Sequence, residues 1–402
     1  MTQAGAAMPL AGIRVLDLSR VLAGPLCAQT LGDLGAEVIK VEHPGRGDDT
    51  RDWGLRVNST QTAYFNSVNR NKRSITVDLQ HPEGQQLVRE LAAQCDVVVQ
   101  NFKFGGAQKL GVGYEDIKAL KDDIIYVSVS GYAAQGQEAA RPGYDLVVQA
   151  EAGLMAMNGE ATQPPLKFGV AVVDLFTGMH AAQAVLAALF DRERSGCGRH
   201  VQLALFDCGL MLTAYYGLEA LQMGEDPPRY GNSHPSIVPY GVFEAADGPL
   251  VITVGNNAQF QRFAREVIER PDMAQDPRFA TNVLRGQYRN VLIAQIEEAL
   301  RTFTRAQLLP RLASAGIPCG EVLGLLQALQ SPRAQATGMV QAVPAQEGAT
   351  SHVLAAPFVL DGQRTAVRQA PPFLGEGTRE VLQTLLHLDD ARLAQLQANG
   401  VL

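Results

Sequence analysis

The run GIRVLDLSRVLAGPLCAQTLGDLGAEVIKVE at residues 12–42 decides the architecture. Residues 12–19 (GIRVLDLS) are rich enough in apolar and β-branched side chains for a buried strand. Residues 24–35 carry a helical pattern, and residues 36–42 (AEVIKVE) read as a second strand. Strand, helix and strand in so short a span form a parallel β–α–β unit. The pattern then repeats. Residues 82–94 place Leu87, Val88, Leu91 and Ala92 on one helical face, DVVVQ follows at 96–100 and IIYVSVS at 124–130, and residues 144–157 read as helical. Leu175, Phe176, Met179, Ala182, Val185, Leu186 and Leu189 recur at helical spacing until SGCG at 195–198 stops the helix. The first half of the chain is therefore α/β, a doubly wound parallel sheet covered by helices.

The character changes at 227–239 (PPRYGNSHPSIVP), where Pro, Gly, Asn and Ser accumulate. Beyond it, residues 240–244 and 249–254 read as a hairpin turning at Asp247-Gly248, and helical patterns follow at 257–268, 289–303 and 305–315. That is a smaller α+β domain. A strand near 356–361 and a last helix near 378–386 close the chain.

Composition excludes several functions. The 402 residues carry 34 Lys and Arg against 41 Asp and Glu, a net charge of −7, with no basic block to track a phosphate backbone; nucleic acid is not the expected partner. The five cysteines are scattered with no C-x-x-C pair, and the seven histidines form no H-x-x-x-H or H-E-x-x-H, so no metal site is expected. The turn after the first strand, SRVLAGP at 19–25, lacks G-x-G-x-x-G, which speaks against nicotinamide or flavin dinucleotides. No phosphate-binding Walker loop and no G-x-S-x-G elbow occurs. The N-terminal residues lack a signal-peptide pattern, and the apolar runs at 181–190 and 201–212 fall short of a membrane span. A cytoplasmic protein away from the membrane is expected.

Asp174 stands between the apolar run FGVAVV at 168–173 and the strongest helix. Position alone makes it a helix N-cap; the same physics makes it a charged but poorly hydrated carboxylate, which suits a nucleophile. His234 lies in the loop NSHPSIVPY at 232–240, suited to a surface lid. Arg46, Arg51, Arg70, Lys72, Arg73, Lys103, Lys109 and Arg141 fall in the first half, where together they would gather a phosphorylated ligand.

Eight ordered blocks carry a resemblance: LAGIRVLDLSRVLAGP (10–25), LGDLGAEVIKVEHPGRGDDTR (31–51), NRNKRSITVDL (69–79), DVVVQNF (96–102), RPGYD (141–145), VVDLFTGMHAA (172–182), GIPCG (316–320) and FLGEGT (373–378). Across essentially the whole chain they resemble class III, CaiB/BaiF-type, CoA-transferases. The resemblance implies an interlaced homodimer with a large Rossmann-like domain built from both chain ends. It divides this chain into a first part at 1–205, a linker at 206–224, the small domain at 225–324 and a return segment at 325–402. It puts the catalytic aspartate at Asp174 and treats Asp17, Asp33 and Asp207 as structural. It places coenzyme A, as an acyl-CoA co-substrate, against Val21, Leu22, Ala23, His43, Val77, Leu79, Asn101, Phe102, Lys109 and Arg141.

Two departures argue against oxalate and formyl-CoA. Leu22 replaces a glutamine of formyl-CoA transferases, and NSHPSIVPY replaces a run of glycines. That loop, with GNNAQF at 255–260 and NRNKRSI, looks closest to succinyl-CoA-dependent dicarboxylate transferases of the glutarate type. Tyr144, His234 and Tyr240 are then expected at the acyl group or the distal carboxylate, with one of Arg46, Arg70 and Arg73 gripping the latter. The alternative within the fold is an α-methylacyl-CoA racemase, which needs a histidine in a GHD block where this chain has Tyr144; a phenol with a reference pKa of about 10 is a poor base at neutral pH.

Overall fold

Residues 8–344 and 350–402 are described by the structure, a computed structural model. They divide into two compact units, the first from residues 8–154, 167–218, 332–344 and 350–402, the second from 155–166 and 219–331. Each is described by itself.

The first unit is built on six parallel strands: β1 (Arg14–Asp17), β2 (Glu37–Glu42), β3 (Lys72–Thr76), β4 (Val97–Gln100), β5 (Ile125–Ser130) and β6 (Arg199–Ala204). They lie in the order β3-β2-β1-β4-β5-β6, so the winding reverses between β1 and β4. The strands are buried on both faces because alternate residues feed separate cores. Val15, Val97, Val99 and Ile125 pack with Leu31 of helix Ala23–Asp33 and with Val185 and Leu189 of helix Val172–Ser195. Leu16, Ile39, Ile75 and Val98 face the other way. They meet Leu87, Val88 and Leu91 of helix Pro82–Ala93, and Leu382 and Leu393 of the C-terminal helices Thr378–Leu386 and Asp390–Ala398.

The segment NRNKRSI, read above as a basic cluster, contributes β3, an edge strand. Its free side is covered by the C-terminal segment: Asn71 N–H donates to the Gln369 carbonyl, Gly377 N–H to the Ser74 carbonyl, and Gly375 N–H to Ser74 Oγ. That covering blunts an edge that would otherwise template aggregation. The apolar run at 201–212 splits into β6 and helix Leu205–Leu212. The helix expected over 144–157 is broken at Gly153, whose φ of +81° separates Asp145–Glu151 from Leu154–Met157.

The second unit holds an antiparallel sheet of β7 (Tyr240–Ala245), β8 (Gly248–Thr253) and β9 (Cys319–Glu321). It packs on helices Asn257–Arg262, Arg289–Leu300 and Arg305–Ser314 through Phe243, Leu250, Phe260, Leu292, Ile296 and Leu308. Ala245 pairs with Gly248, so the hairpin turns on Ala246 and Asp247, one residue earlier than expected.

Helix Val172–Ser195 is long and apolar enough, by length and composition alone, to cross a membrane. Its buried side chains, Ala181, Ala182, Val185 and Leu189 among them, belong to the core of the first unit. Gly178 lets it approach helix Ala23–Asp33: a Cβ there would lie 2.6 Å from the Ala23 carbonyl oxygen and 3.0 Å from Leu26 Cβ. Because the first obstacle is backbone, Gly178→Ala is expected to destabilise the fold by about 2 kcal/mol, as overpacking does. Gly286, inside helix Asn282–Gln287 with open space around it, is the control. Gly286→Ala should stabilise by about 0.5–1 kcal/mol through helix propensity. Urea unfolding of the two variants checks both signs.

Candidate active site

Ligands of open parallel sheets collect outside the carboxyl ends of the strands, where the winding reverses. Here that place is formed by the loops after β1, β4 and β5. A cavity of about 250 Å³ is lined there by Val21, Leu22 and Ala23 after β1, by Asn101 and Phe102 after β4, by Gly131 after β5, and by Arg141, Tyr144 and Asp174. A second cavity, of about 460 Å³, is lined by His43, Arg46, Val77 and Leu79. Phe102 and Lys103 line both.

The loop after β1 is held by buried charge. Lys40, fully buried in β2, donates to the Ser19 carbonyl at 2.8 Å and pairs with Asp48 at 2.9 Å. Lys72, buried in β3, pairs with Asp17 at 2.8 Å and donates to the Pro25 carbonyl and Asn69 Oδ1, each at 2.9 Å. Burial alone would raise Asp17 and Asp48, but the ammonium groups of Lys72 and Lys40 outweigh it and hold both carboxyls below the ordinary aspartate value. Val21 N–H donates to both Asp48 oxygens at 3.3 Å, which fixes Val21 at φ +72°, a left-handed conformation that a β-branched residue adopts only under constraint. The amide of Asn101 closes the crevice: its Nδ2 donates to the Arg20 carbonyl at 2.7 Å, and its Oδ1 accepts from Arg20 N–H at 2.9 Å.

These pairings revise the basic cluster. Arg51 is bound to Glu42, with Nη2–Oε1 at 2.6 Å, and Arg70 to Asp33; both arginines are buried. Arg73 pairs with Glu37 and Glu380. Arg70, Lys72 and Arg73 are thus neutralised by carboxylates rather than free to collect a ligand; Arg46 lines the larger cavity, and none of the three arginines considered for a distal carboxylate lines the cavity that holds Asp174. Arg141 lines the Asp174 cavity but is held by Glu138 and Glu151, its guanidinium 4.9 Å from the Tyr132 ring. Lys109 is exposed and lines neither cavity, although Leu110 lines the larger one. His234 and Tyr240 belong to the second unit, where their rings lie 5.1 Å apart and His234 Nδ1 accepts from the Ser236 and Ile237 amides at 3.1 Å.

Asp174 is not the N-cap. The helix begins at Val172, its flanking residue Ala171 supplies no side-chain cap, and Asp174 sits in the first turn. The cap arrives from elsewhere in the chain: Asp145 Oδ1 accepts from Val173 N–H at 2.8 Å and from Asp174 N–H at 3.2 Å. Burial first, and then the charge of Asp145, push the Asp174 carboxyl up to about 7. Tyr64, which sequence reasoning missed, shares this environment. Burial, followed by the charges of Asp174, Asp145 and Asp48, pushes its phenol up to about 12, so it remains a neutral O–H donor. Nothing in the local sequence around Tyr64 signals this; Asp145 was visible only as part of RPGYD. Gly131 and Gly143 line the same cavity back to back, a Cβ on either falling 2.6 Å from the other's Cα.

The whole arrangement is that of a known class. The model of CoA-transferase family III matches residues 10–378, and the chain belongs to that family of enzymes. A succinyl-CoA:glutarate CoA-transferase from Mus musculus is 38% identical over 394 residues, 98% of this chain and 90% of the relative. A succinate–glutarate CoA-transferase from Agrobacterium fabrum is 38% identical over 383 residues, 94% of this chain and 96% of the relative. The crystal structure of a CaiB/BaiF family protein from Brucella suis, 39% identical, superposes with a TM-score of 0.84, covering 94% of this chain and all of that one (100%).

A carboxyl whose folded-state pKa lies above its unfolded value costs stability when ionised. That cost is absent below about pH 3, grows as the pH rises, and is complete above pH 7, where Asp174 is charged in both states. Asp174→Asn should therefore unfold at higher denaturant than the parent at pH 8, by up to about 4 kcal/mol, with the difference shrinking towards zero near pH 3. Paired urea titrations at the two pH values check the sign.

Proposed function

We propose that the chain moves CoA from succinyl-CoA to a small dicarboxylic acid of the glutarate type, with Asp174 as the covalent nucleophile. The observation that carries this is a carboxylate of raised basicity lining the cavity at the sheet's switch point. The two relatives of similar length, both glutarate CoA-transferases by name, support the substrate class.

The two cavities suit an elongated thioester. Arg46, His43 and Lys103 would face the phosphates in the larger one, with Val77, Leu79 and Phe102 against the apolar parts. Val21–Ala23 and Tyr144 would flank the thioester near Asp174. Asp174 Oδ attacks the thioester carbonyl carbon; the new C–O bond forms as the C–S bond breaks, and CoA leaves as thiolate. The thiolate attacks the aspartyl carbonyl of the mixed anhydride and expels succinate, leaving an aspartyl-CoA thioester. The acceptor carboxylate attacks that thioester and releases the thiolate, which takes the new acyl group and regenerates Asp174. Each half splits one difficult exchange into two easier ones. Carboxylate nucleophiles are weak, so poor hydration and orientation at Asp174 supply the rate.

The enzyme would act as an interlaced homodimer. Met211, Tyr215, Leu218 and Leu221, exposed by 62%, 51%, 65% and 79%, support a large covered surface on helices Leu205–Leu212 and Ala214–Met223.

Asp174→Ala should lower transfer by about 10³-fold or more without changing the oligomeric state. With the parent enzyme, acyl-CoA quenched in acid should leave acyl or CoA mass on the peptide bearing Asp174. Retained transfer in the variant overturns the covalent route. Glutarate should outpace pentanoate, which has the same chain length but a single carboxylate; equal rates overturn the dicarboxylate reading.

A further inference from the structure

We infer that Asp145 is a positioning residue for this reaction: it caps the catalytic helix from outside and sets the reactivity of Asp174. The inference rests on the reading of Asp174 as nucleophile.

Helix Val172–Ser195 begins with no capping side chain of its own. Without an acceptor its first amides would be orphans, and the loss of a cap typically costs about 1 kcal/mol. Asp145 meets that need from another element: one oxygen, Oδ1, takes both the Val173 and the Asp174 amides. The other, Oδ2, accepts from Gln149 Nε2 at 2.5 Å. Gln149 is in turn fixed, its Oε1 accepting from Phe168 N–H at 2.8 Å. Asp145 and Gln149 are both buried, and they lie one turn apart on helix Asp145–Glu151. The carboxyl group therefore has a fixed place, with the backbone of the nucleophile hung on it.

A serine or asparagine would cap equally well. A carboxylate does one thing more, because its negative charge sits beside the group that must attack. It opposes ionisation of Asp174 and so strengthens the base that results. Two of the three cations that line the cavity are already paired. Arg141 is taken by Glu138 and Glu151, and Arg20 by Asp49; Lys103 lines the cavity, and Tyr64 is neutral. Negative charge at a helix N-terminus is compensated by the helix dipole, so two acids can share this one.

The test uses Asp145→Asn, which keeps an acceptor for the two amides and removes the charge. In the full-length enzyme, the acid limb of kcat/KM for acyl-CoA should move to lower pH, and kcat at pH 8 should fall about tenfold while KM for acyl-CoA stays within about twofold. Gln149→Met keeps the charge and loosens the anchor: kcat should fall with the acid limb unmoved, and the Val173 and Asp174 amides should exchange faster with solvent. An Asp145→Asn enzyme with the parent's acid limb and kcat overturns the inference. If that variant does not fold, Gln149→Met decides, and parental kcat in it overturns positioning. Asp174→Asn run alongside separates the two readings: if it stays active the nucleophile reading fails, whereas if it is inactive while Asp145→Asn is parental only this inference fails.

Discussion

Two lysines buried in the strands of a parallel sheet govern the rest of the first unit. Lys40 and Lys72 sit in β2 and β3 with no exposure to solvent, and each must find a carboxylate. Removing one partner of such a pair typically costs about 3–5 kcal/mol, although the pair adds little net stability over a well-packed apolar alternative. What the pairs contribute is geometry. Asp48 and Asp17 are held ionised and in place; Asp48 accepts from Val21 N–H while Lys40 and Lys72 donate to the Ser19 and Pro25 carbonyls, and together these bonds dictate the path of the chain after β1. That path forms one wall of the Asp174 cavity.

The opposite wall is set by helix packing. Gly178 brings helix Val172–Ser195 against Ala23, so Asp174 in its first turn lies beside the loop that the lysines hold. Asp174 shows why such a site works against stability. Its poor hydration and the neighbouring acid oppose the ionised form, and the same opposition makes the ionised form more basic. The surrounding core offsets that cost, with Val173 and Thr177 fully buried on either side of Asp174.

Much of this was legible in the sequence where local pattern sets the structure. The β–α–β units follow from strand and helix periods, and Asp174 stands out beside its helix. Charge inside the sheet was not legible. β3, KRSIT, has the composition of a loop, and only its neighbour Asp17 explains how Lys72 can be buried. For the same reason Arg51 and Arg70 resemble ligand-binding residues until Glu42 and Asp33 are seen against them. The cap of helix Val172–Ser195 was also out of reach: Asp145 and Val173 are 28 residues apart, and no local signal links them. Asp174 thus looked like a cap because the true one is elsewhere.

The covering of β3 has a consequence for how the chain is made. β1, β2 and β3 emerge from the ribosome early, but Arg51 also donates to the Pro372 carbonyl, and the outer side of β3 is closed by residues 369–378. Until those residues have been translated, a nascent chain carries an open strand and a half-satisfied guanidinium. The order of synthesis therefore runs against the order of packing, and the growing polypeptide stays exposed to misassociation at this strand until residues 369–378 have been added.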